Sequence, residues 1–442
     1  MTVRYSRLLF VGLLPCLFLA DILHGLLQSE GYSGSLSPGE LIRGPVLLWA
    51  AWTFVHDGHL LERSLRRLMW AILITGMAGP AYAFVLGPSF DDLARDLGSL
   101  AKILYGPLLC VVFYLALLRW PQSTGALIRS VAYVAFLVGP ALLFMRAAGL
   151  GSDTYGDYAF GFKGLFDAQN DIGLALGIAS AAALFVLFRR PNTPTAVLTV
   201  TALLGLASLG TRAALLLTVF TPVCMMLVFM WSAGEHGRAQ RVVTIVTIIA
   251  VLAAAAVAGV QAYRAASQNA FELARMESLA DLDLPRIMLI KAGLAQVSVR
   301  SRVADITGEG SSRFKRGVYK HWGVVVTNSG DMRAVEVDWL DLYGAHGLVF
   351  TALLHGLYLG ALLRSVRAFV ARRSRVHGLI ALALGLFLGH SALAGHAMVS
   401  PMPSPVVGAL MAVGLLDRRL ARTTAVPRIA PEPSGPAAAT AT

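Results

Sequence analysis

An arginine in a tight turn between two apolar runs is the residue of this sequence best suited to chemistry. Arg212 closes the turn 208–212, which joins the apolar run 194–209 to the run 213–231. If both runs span a membrane, so short a turn holds the guanidinium near the membrane boundary, where a charge marks a functional site by default. Its planar fork matches phosphate oxygens bidentately. The alternative is a side chain that only reaches lipid headgroups.

Two carboxylates stand just before another apolar run, at Glu336 and Asp338. A carboxylate within reach of a hydroxyl can act as a general base, so each is a candidate for proton abstraction. Asp338 also suits the first turn of a helix, where the helix dipole favours an acid. Trp339 could stack on a sugar face, although tryptophan is equally typical of membrane interfaces. The sequence leaves the choice between the two carboxylates open.

Two further segments present cations. Lys163 lies in the glycine- and aromatic-rich segment 161–166, and Asn170 follows at the start of the next apolar run. Arg286 stands near the start of a predicted helix within a long polar segment, where it could also be a solvated charge. Three separate segments therefore offer a cation, and the long polar segment also offers the carboxylates.

The histidines and cysteines form no recognisable metal or disulfide pattern. His56 and His59 lie close together without an evident third ligand, and each of the three cysteines sits inside an apolar run. We therefore predict no metal and no cofactor. Other ionisable residues fall within or near apolar runs, as packed polar contacts or as parts of a site: Asp21, His24, His355, His390 and His396.

The composition decides what kind of protein carries these residues. Of 442 residues, 56% are hydrophobic and 14% are charged, and the mean hydropathy is +0.67. A soluble domain carries about 25% charged residues, so a soluble enzyme is excluded, and the hydrophobicity excludes a disordered chain. The excess of 37 Lys and Arg over 25 Asp and Glu is explained by the orientation of membrane spans rather than by a nucleic-acid partner.

The apolar runs predict an all-α polytopic membrane protein with about twelve transmembrane helices. The runs cover residues 8–27, 41–56, 68–87, 99–118, 127–148, 170–188, 194–209, 213–231, 242–262, 342–363, 378–397 and 401–416. We divide the chain into spans one to nine (1–262), a large loop (263–340), spans ten to twelve (341–417) and a disordered tail (418–442).

Arginines fall at every second connection, which predicts that both termini are cytoplasmic. They are Arg4, Arg7, Arg63, Arg66, Arg67, Arg119, Arg189, Arg190, Arg238, Arg241, Arg364, Arg367, Arg372, Arg373, Arg375, Arg418, Arg419, Arg422 and Arg428. The large loop, Lys163 and Arg212 then share the outer side. A long loop of this kind is unusual unless it is functional.

The large loop predicts two short helices. The first covers about 266–280, and the second begins at Pro285 with Asp283 as its cap. Apolar residues at 287, 290, 294 and 297 give the second helix an apolar face. The glycines in 306–310 predict a turn after it.

Three short motifs, in this order and on one side of the membrane, resemble the O-antigen ligase and polymerase superfamily. The first is 162–166 with Asn170 after it, and the second is the small-residue turn 208–213 around Arg212. The third is Arg286 followed, after an apolar helix, by the glycine turn 308–310. The resemblance covers roughly residues 155–365, and the twelve-span layout agrees with it.

This resemblance implies an inverting, metal-independent glycosyltransferase that uses a polyprenyl-diphosphate-linked sugar at the periplasmic face of the bacterial inner membrane. Arg212 and Arg286 would bind the diphosphate and stabilise the charge on the leaving group. Ligases carry a histidine where this chain has Glu336, with a glycine eleven residues on that matches Gly347. The change from histidine to Glu336 favours polymerisation of lipid-linked repeat units over ligation to lipid A core.

The predicted site therefore has two parts. Glu336, Arg212 and Arg286 form the catalytic set. The substrate-binding set is Lys163, Asn170, Asp338 and Trp339. The partners are the lipid-linked glycan donor, a glycan or lipid A core acceptor, and the bilayer, with no nucleic acid.

Two other classes remain open at this stage. A transporter or flippase would place ionisable residues and broken helices near the bilayer midplane, often in two related halves. The candidates here cluster at the outer boundary and no half-repeat is evident, which favours the enzyme. A scaffold or sensor would leave Arg212 without a task.

Overall fold

The computed structural model describes residues 3–31, 38–154, 161–166, 168–232, 285–324, 332, 335–393 and 395–423, with side chains described except at 3–9, 285–286 and 417–423. Within these ranges the chain is nearly all helical. The helices are α1 (Val3–Ser29), α2 (Pro38–Asp57), α3 (Arg63–Leu86), α4 (Phe90–Arg119), α5 (Thr124–Ala147), α6 (Gln169–Arg189), α7 (Thr193–Ser208), α8 (Arg212–Trp231), α9 (Pro285–Val299), α10 (Arg302–Thr307), α11 (Ser311–Trp322), α12 (Asp338–Arg372), α13 (Arg375–Leu393) and α14 (Pro403–Thr423). Two short strands, β1 (Ser152–Asp153) and β2 (Phe162–Gly164), pair antiparallel.

Eight described helices are long and apolar enough to cross a membrane, so the protein is a multi-pass membrane protein. They are α1, α3, α4, α5, α6, α8, α12 and α13. The predicted all-α membrane class is thereby confirmed.

Four of the twelve predicted spans are not among these eight helices. The runs 41–56, 194–209 and 401–416 form α2, α7 and α14, which are shorter or less apolar than the eight. The run 242–262, the loop helix at 266–280 and the cap at Asp283 lie outside the described residues. The count of twelve spans, the domain limits and the sidedness stay predictions.

Local sequence explains where the helices begin. At the start of α4, the Ser89 hydroxyl accepts a hydrogen bond from the Asp92 amide at 3.2 Å, and at the start of α8 the Thr211 hydroxyl accepts one from the Ala214 amide at 3.1 Å. Such side chains satisfy amides that have no partner within the helix. The cap at Thr211 fixes the position of Arg212, the first residue of α8.

Helices α4 and α6 form the centre of the bundle, because 89% of the apolar window of each is buried. Small residues bring α4 and α14 together: a Cβ at Gly408 would lie 2.6 Å from the Gly106 carbonyl oxygen. Close backbone approach at small residues is the usual way in which membrane helices associate.

Helix α12 is broken at Gly347, whose backbone is non-helical at φ 78° and ψ 175°. The break frees carbonyls that need new partners. The Glu309 amide donates to the Gly344 carbonyl at 3.2 Å, and the Gly310 amide donates to the Ala345 carbonyl at 3.0 Å. The glycine turn predicted in the loop therefore exists, and it fills the gap in a membrane helix.

Helices α9, α10 and α11, which we call the loop unit, pack over α3, α4 and α12. Helix α9 begins at Pro285 as predicted, but its predicted apolar face is partly wrong. Leu294 is 47% exposed, while Leu289 and Ala292 are buried against Phe314 of α11. The apolar face turned out to be rotated because the hydrophobic partner is α11, which the sequence pattern of α9 alone does not reveal.

Candidate functional site

Helix ends from many parts of the described chain lie at one end of the bundle, which we call the loop end. Here α1, α3, α5, α7 and α13 finish, and α2, α4, α6, α8, α12 and α14 begin. The Thr154 hydroxyl donates to the Leu209 carbonyl at 2.8 Å, and the Ser312 amide donates to an Asp96 carboxylate oxygen at 2.7 Å. Segments far apart in sequence are thus held together at the loop end.

The segment that carries Lys163 lies against the turn that carries Arg212. Lys163 is the middle residue of β2 and is half-buried. Gly161, just before the strand, has φ 70°, and a Cβ there would lie 2.5 Å from the Leu209 carbonyl oxygen. Because only glycine allows this approach, the hairpin packs directly on the turn before Arg212.

The first turns of α6 and α8 are also neighbours. A Cβ at Gly173 would lie 3.5 Å from Leu209 and 3.7 Å from Ala214, which is ordinary contact. Asn170 is half-buried in the first turn of α6, and Arg212 is exposed at the first position of α8. The hairpin, the start of α6 and the Arg212 turn therefore form one assembly.

Asp338 is fully buried and is held by the segment that precedes α14. Its carboxylate accepts a hydrogen bond from the Met398 amide at 2.8 Å. Ser400, in the same segment, hydrogen-bonds Asp171 of α6, and Asp338 lies within electrostatic range of Asp171. The segment 396–402 thus links the acid at the start of α12 to the acid at the start of α6.

The two carboxylates left open by the sequence differ in environment. Glu336 is half-buried with φ 67°, and a Cβ at Gly395 would lie 2.2 Å from the Glu336 carbonyl oxygen. Trp339 is 44% exposed, whereas Asp338 beside it in the chain is fully buried. The side chain of Arg286 lies outside the described residues, so the convergence of Arg212, Arg286 and Glu336 stays a prediction.

A cavity of about 590 Å³ opens at the loop end, and we call it the loop-end cavity. On α1, α2 and α4 the lining residues recur at three, four or seven positions, which places them on one face of each helix. Its lining comprises Asp21, His24, Gln28, Glu40, Arg43, Gly44, Leu47, Gly98, Ala101, Lys102, Tyr105, Ala168, Asp171, Pro401 and Met402.

Two features of the lining are already arranged without a ligand. Arg43 donates two hydrogen bonds to Asp21, at 2.6 and 2.5 Å, and both side chains are largely buried. Tyr105 is 2% exposed, and its hydroxyl has no hydrogen-bond partner among the described residues. The cavity therefore presents an oriented ion pair and one unsatisfied hydroxyl.

Several lining residues were not singled out from the sequence. Lys102 could have been identified from the sequence, because it is a charged residue inside an otherwise apolar span and such residues usually have a function. Glu40 and Arg43 stand three apart at the start of an apolar run, so they share a helix face. Asp21 and His24 line the cavity. From the sequence they could have been either packed polar contacts or parts of a site.

The loop unit brings further ionisable groups towards this end. Burial lowers the pKa of Lys315 on α11, although the carboxylates of Asp341 and Asp96 oppose that shift. Burial raises the pKa of Glu309, although the Gln296 amide, which donates to its carboxylate at 2.9 Å, opposes the shift. Lys102 lies within electrostatic range of Lys315, so the loop and the cavity lining act on each other.

Among the residues that the structure describes, no group of three His, Cys, Asp or Glu is placed to hold a metal ion. In the loop-end cavity, Asp21 and Arg43 form an ion pair, and Lys102 lies within electrostatic range of Asp171. Such a lining can bind hydroxyl groups and transfer protons.

No protein-family model matches the chain, and comparison with curated proteins found no match either.

Proposed function

We propose that this protein is an inverting, metal-independent glycosyltransferase that acts on a polyprenyl-diphosphate-linked glycan at the periplasmic face of the bacterial inner membrane. Its reaction is the polymerisation of O-antigen or exopolysaccharide repeat units. The observation that carries the proposal is the loop-end cavity. It lies in a bundle of membrane helices, and the Asp171 carboxylate and the Lys102 side chain both line it. Pockets of about 300–1,000 Å³ are typical of small-molecule and cofactor sites.

The reaction needs a proton acceptor and a stabilised leaving group. An acceptor hydroxyl oxygen bonds to the anomeric carbon while the bond from that carbon to the diphosphate oxygen breaks. The electron pair leaves with the polyprenyl diphosphate, the anomeric configuration inverts, and a carboxylate takes the hydroxyl proton. Asp171 is the carboxylate of α6 that faces the cavity, and the family resemblance assigns the same role to Glu336.

The leaving group requires fixed positive charge. Arg212 and Arg286 are assigned to it by the family resemblance. The assembly of the Lys163 hairpin with the Arg212 turn supports this role, since the Thr154 hydrogen bond to Leu209 joins the two segments. Lys163 and Arg212 therefore lie on two segments that pack against each other.

A ligase that transfers glycan to lipid A core would use the same site with a different acceptor. A transporter is the candidate from another class, and the break in α12 at Gly347 is the observation in its favour, because transporters use broken helices. The carbonyls freed by this break accept hydrogen bonds from Arg300 and from the amides of Glu309 and Gly310. A break sealed by protein supports a fixed loop better than a transport path.

The test uses purified protein in lipid nanodiscs with a lipid-diphosphate oligosaccharide. A ladder of longer lipid-linked products is the expected result. Transfer only onto lipid A core would establish a ligase, and movement of unaltered substrate across liposomes would establish a transporter.

Arg212→Ala should lower the rate by about 100-fold or more, because removal of one preorganised stabilising group costs about that much. Arg190→Ala, at the other end of α6 and exposed, is the matched control and should retain activity. Full activity in Arg212→Ala would remove the main support for the proposal.

A further inference from the structure

We infer that the loop-end cavity holds the uncharged, hydroxyl-rich glycan of the substrate and not its diphosphate. The inference rests on the proposed function and divides the substrate between two places. The glycan lies in the cavity formed by α1, α2, α4 and α6, and the diphosphate lies outside it, towards the cations of the hairpin and the Arg212 turn.

The charge of the lining is the first argument. Three carboxylates, Asp21, Glu40 and Asp171, face only two cations, Arg43 and Lys102. The lining therefore has no surplus of basic over acidic side chains that could balance a diphosphate. A diphosphate carries several negative charges, and like charges at close range in a partly desolvated site repel strongly. An uncharged glycan meets no such repulsion.

The geometry of Arg43 is the second argument. Both terminal nitrogens of its guanidinium are bound to Asp21, at 2.6 and 2.5 Å. Asp21 already balances the charge of this guanidinium, and a phosphate that replaced Asp21 in the fork would leave the Asp21 carboxylate buried without its cation. Lys102 is then the one cation of the described lining that is not already in a bidentate pair, and it lies within electrostatic range of Asp171.

The Tyr105 hydroxyl is the third argument. It is nearly completely buried, it lies on the cavity face of α4, and it has no partner among the described residues. Buried polar groups are normally hydrogen-bonded, and a phenol both donates and accepts. Sugar hydroxyls do the same, and the carboxylates and the Gln28 amide around the cavity add further acceptors and donors.

The experiment compares two lipids on the full-length protein in nanodiscs. One is sugar-free undecaprenyl diphosphate, and the other is the lipid-linked oligosaccharide pool extracted from the bacterium that makes the protein. Tyr105→Phe removes only the hydroxyl. It should weaken binding of the oligosaccharide lipid about 3- to 10-fold, the value of one neutral hydrogen bond, and leave undecaprenyl diphosphate unchanged.

Tyr114→Phe is the matched control, because Tyr114 is buried in the core of the same helix and is not part of the cavity lining. It should alter neither affinity. Glu40→Gln supplies a second measurement, since it removes a negative charge from the lining without changing the shape of the side chain. It should leave the affinity for undecaprenyl diphosphate unchanged.

Three results would overturn the inference. Equal weakening of both lipids in Tyr105→Phe would place the shared diphosphate in the cavity. Tighter binding of undecaprenyl diphosphate by Glu40→Gln would do the same. Unchanged binding of both lipids in Tyr105→Phe would remove the glycan contact. Failure of the proposed function looks different, because the unaltered protein would then bind neither lipid.

Discussion

Arg300 fastens the loop unit to the break in α12, and its removal should release the loop. The guanidinium is 1% exposed. It donates to the Tyr343 carbonyl at 3.0 Å and to Asp305 at 2.8 Å, and it lies 4.0 Å from the centre of the Tyr343 ring. The variant Arg300→Met keeps most of the length and apolar volume of the side chain but removes all three interactions.

The magnitude follows from the three contacts. A hydrogen bond from a charged donor to the Tyr343 carbonyl contributes about 1.5–3 kcal/mol, and the cation over the Tyr343 ring contributes about 1 kcal/mol. The ion pair with Asp305 contributes only about 0.5 kcal/mol, because Asp305 is 41% exposed and screened by water. Loop docking should therefore weaken by about 3–4.5 kcal/mol, which corresponds to about 100- to 2,000-fold in the opening equilibrium.

Hydrogen–deuterium exchange of the protein in nanodiscs measures this opening directly. Amides of α11 should exchange about 100- to 2,000-fold faster in Arg300→Met, while those of the central helix α6 keep their protection. Arg302→Met is the control, because Arg302 is exposed on the adjoining α10. Protection of α11 within twofold of the unaltered protein would refute the assignment of Arg300 as the fastening residue.

Two further predictions concern the same junction. Gly347→Ala should reduce the amount of folded protein recovered from the membrane, because φ is +78° and a Cβ would lie 2.2 Å from the Ile306 carbonyl oxygen. Fluorescence-detected size exclusion measures the folded fraction. Gly356→Ala is the control and should behave like the unaltered protein, because the space around Gly356 is open. Burial raises the pKa of Glu309 above its ordinary value of 4.5, so the contribution of Glu309 to docking is present below pH 4.5 and is lost as the pH rises through the raised pKa. Protection of α11 measured against pH should show this contribution, and Glu309→Gln should remove it and leave the part that belongs to Asp92 and Asp96. An identical pH dependence in the variant and the unaltered protein would contradict the assignment.

The sequence predicted the parts of the fold that depend on composition and local pattern. Apolar runs of spanning length became helices because the bilayer leaves few other ways to satisfy the backbone. The start of α9 at Pro285 and the glycine turn after α10 were also predictable, since proline and glycine restrict the backbone locally. These features need no knowledge of distant contacts.

The break in α12 could not be predicted in this way. Gly347 had been marked by its spacing from Glu336, yet its left-handed conformation depends on Ile306 and Gly308, which approach it from the loop. A sequence window around the helix contains neither residue. The break is a tertiary feature, and a single glycine within an apolar run is too common to reveal it.

The loop-end cavity escaped the sequence for a related reason. When apolar runs are interpreted as membrane spans, a charged residue such as Lys102 only interrupts the apolar pattern. Nothing in that pattern shows that Lys102 lines a cavity. Asp21 and Arg43 become a pair only because α1 and α2 place them side by side. Asp171 was visible beside Asn170, but its link to Asp338 passes through Ser400, far away in the chain.

Helix α4 connects the loop to the cavity, and this connection has a mechanical consequence. Near its start, Asp92 binds Arg316 through two hydrogen bonds, at 2.9 and 2.7 Å, and Asp96 accepts the Ser312 amide. Its next two turns, from residue 98 to 105, form the cavity wall. Because one continuous helix carries both contacts, we expect a shift of the loop on α4 to alter the wall of the loop-end cavity as well. A substrate that fills the cavity should therefore also slow the exchange of α11.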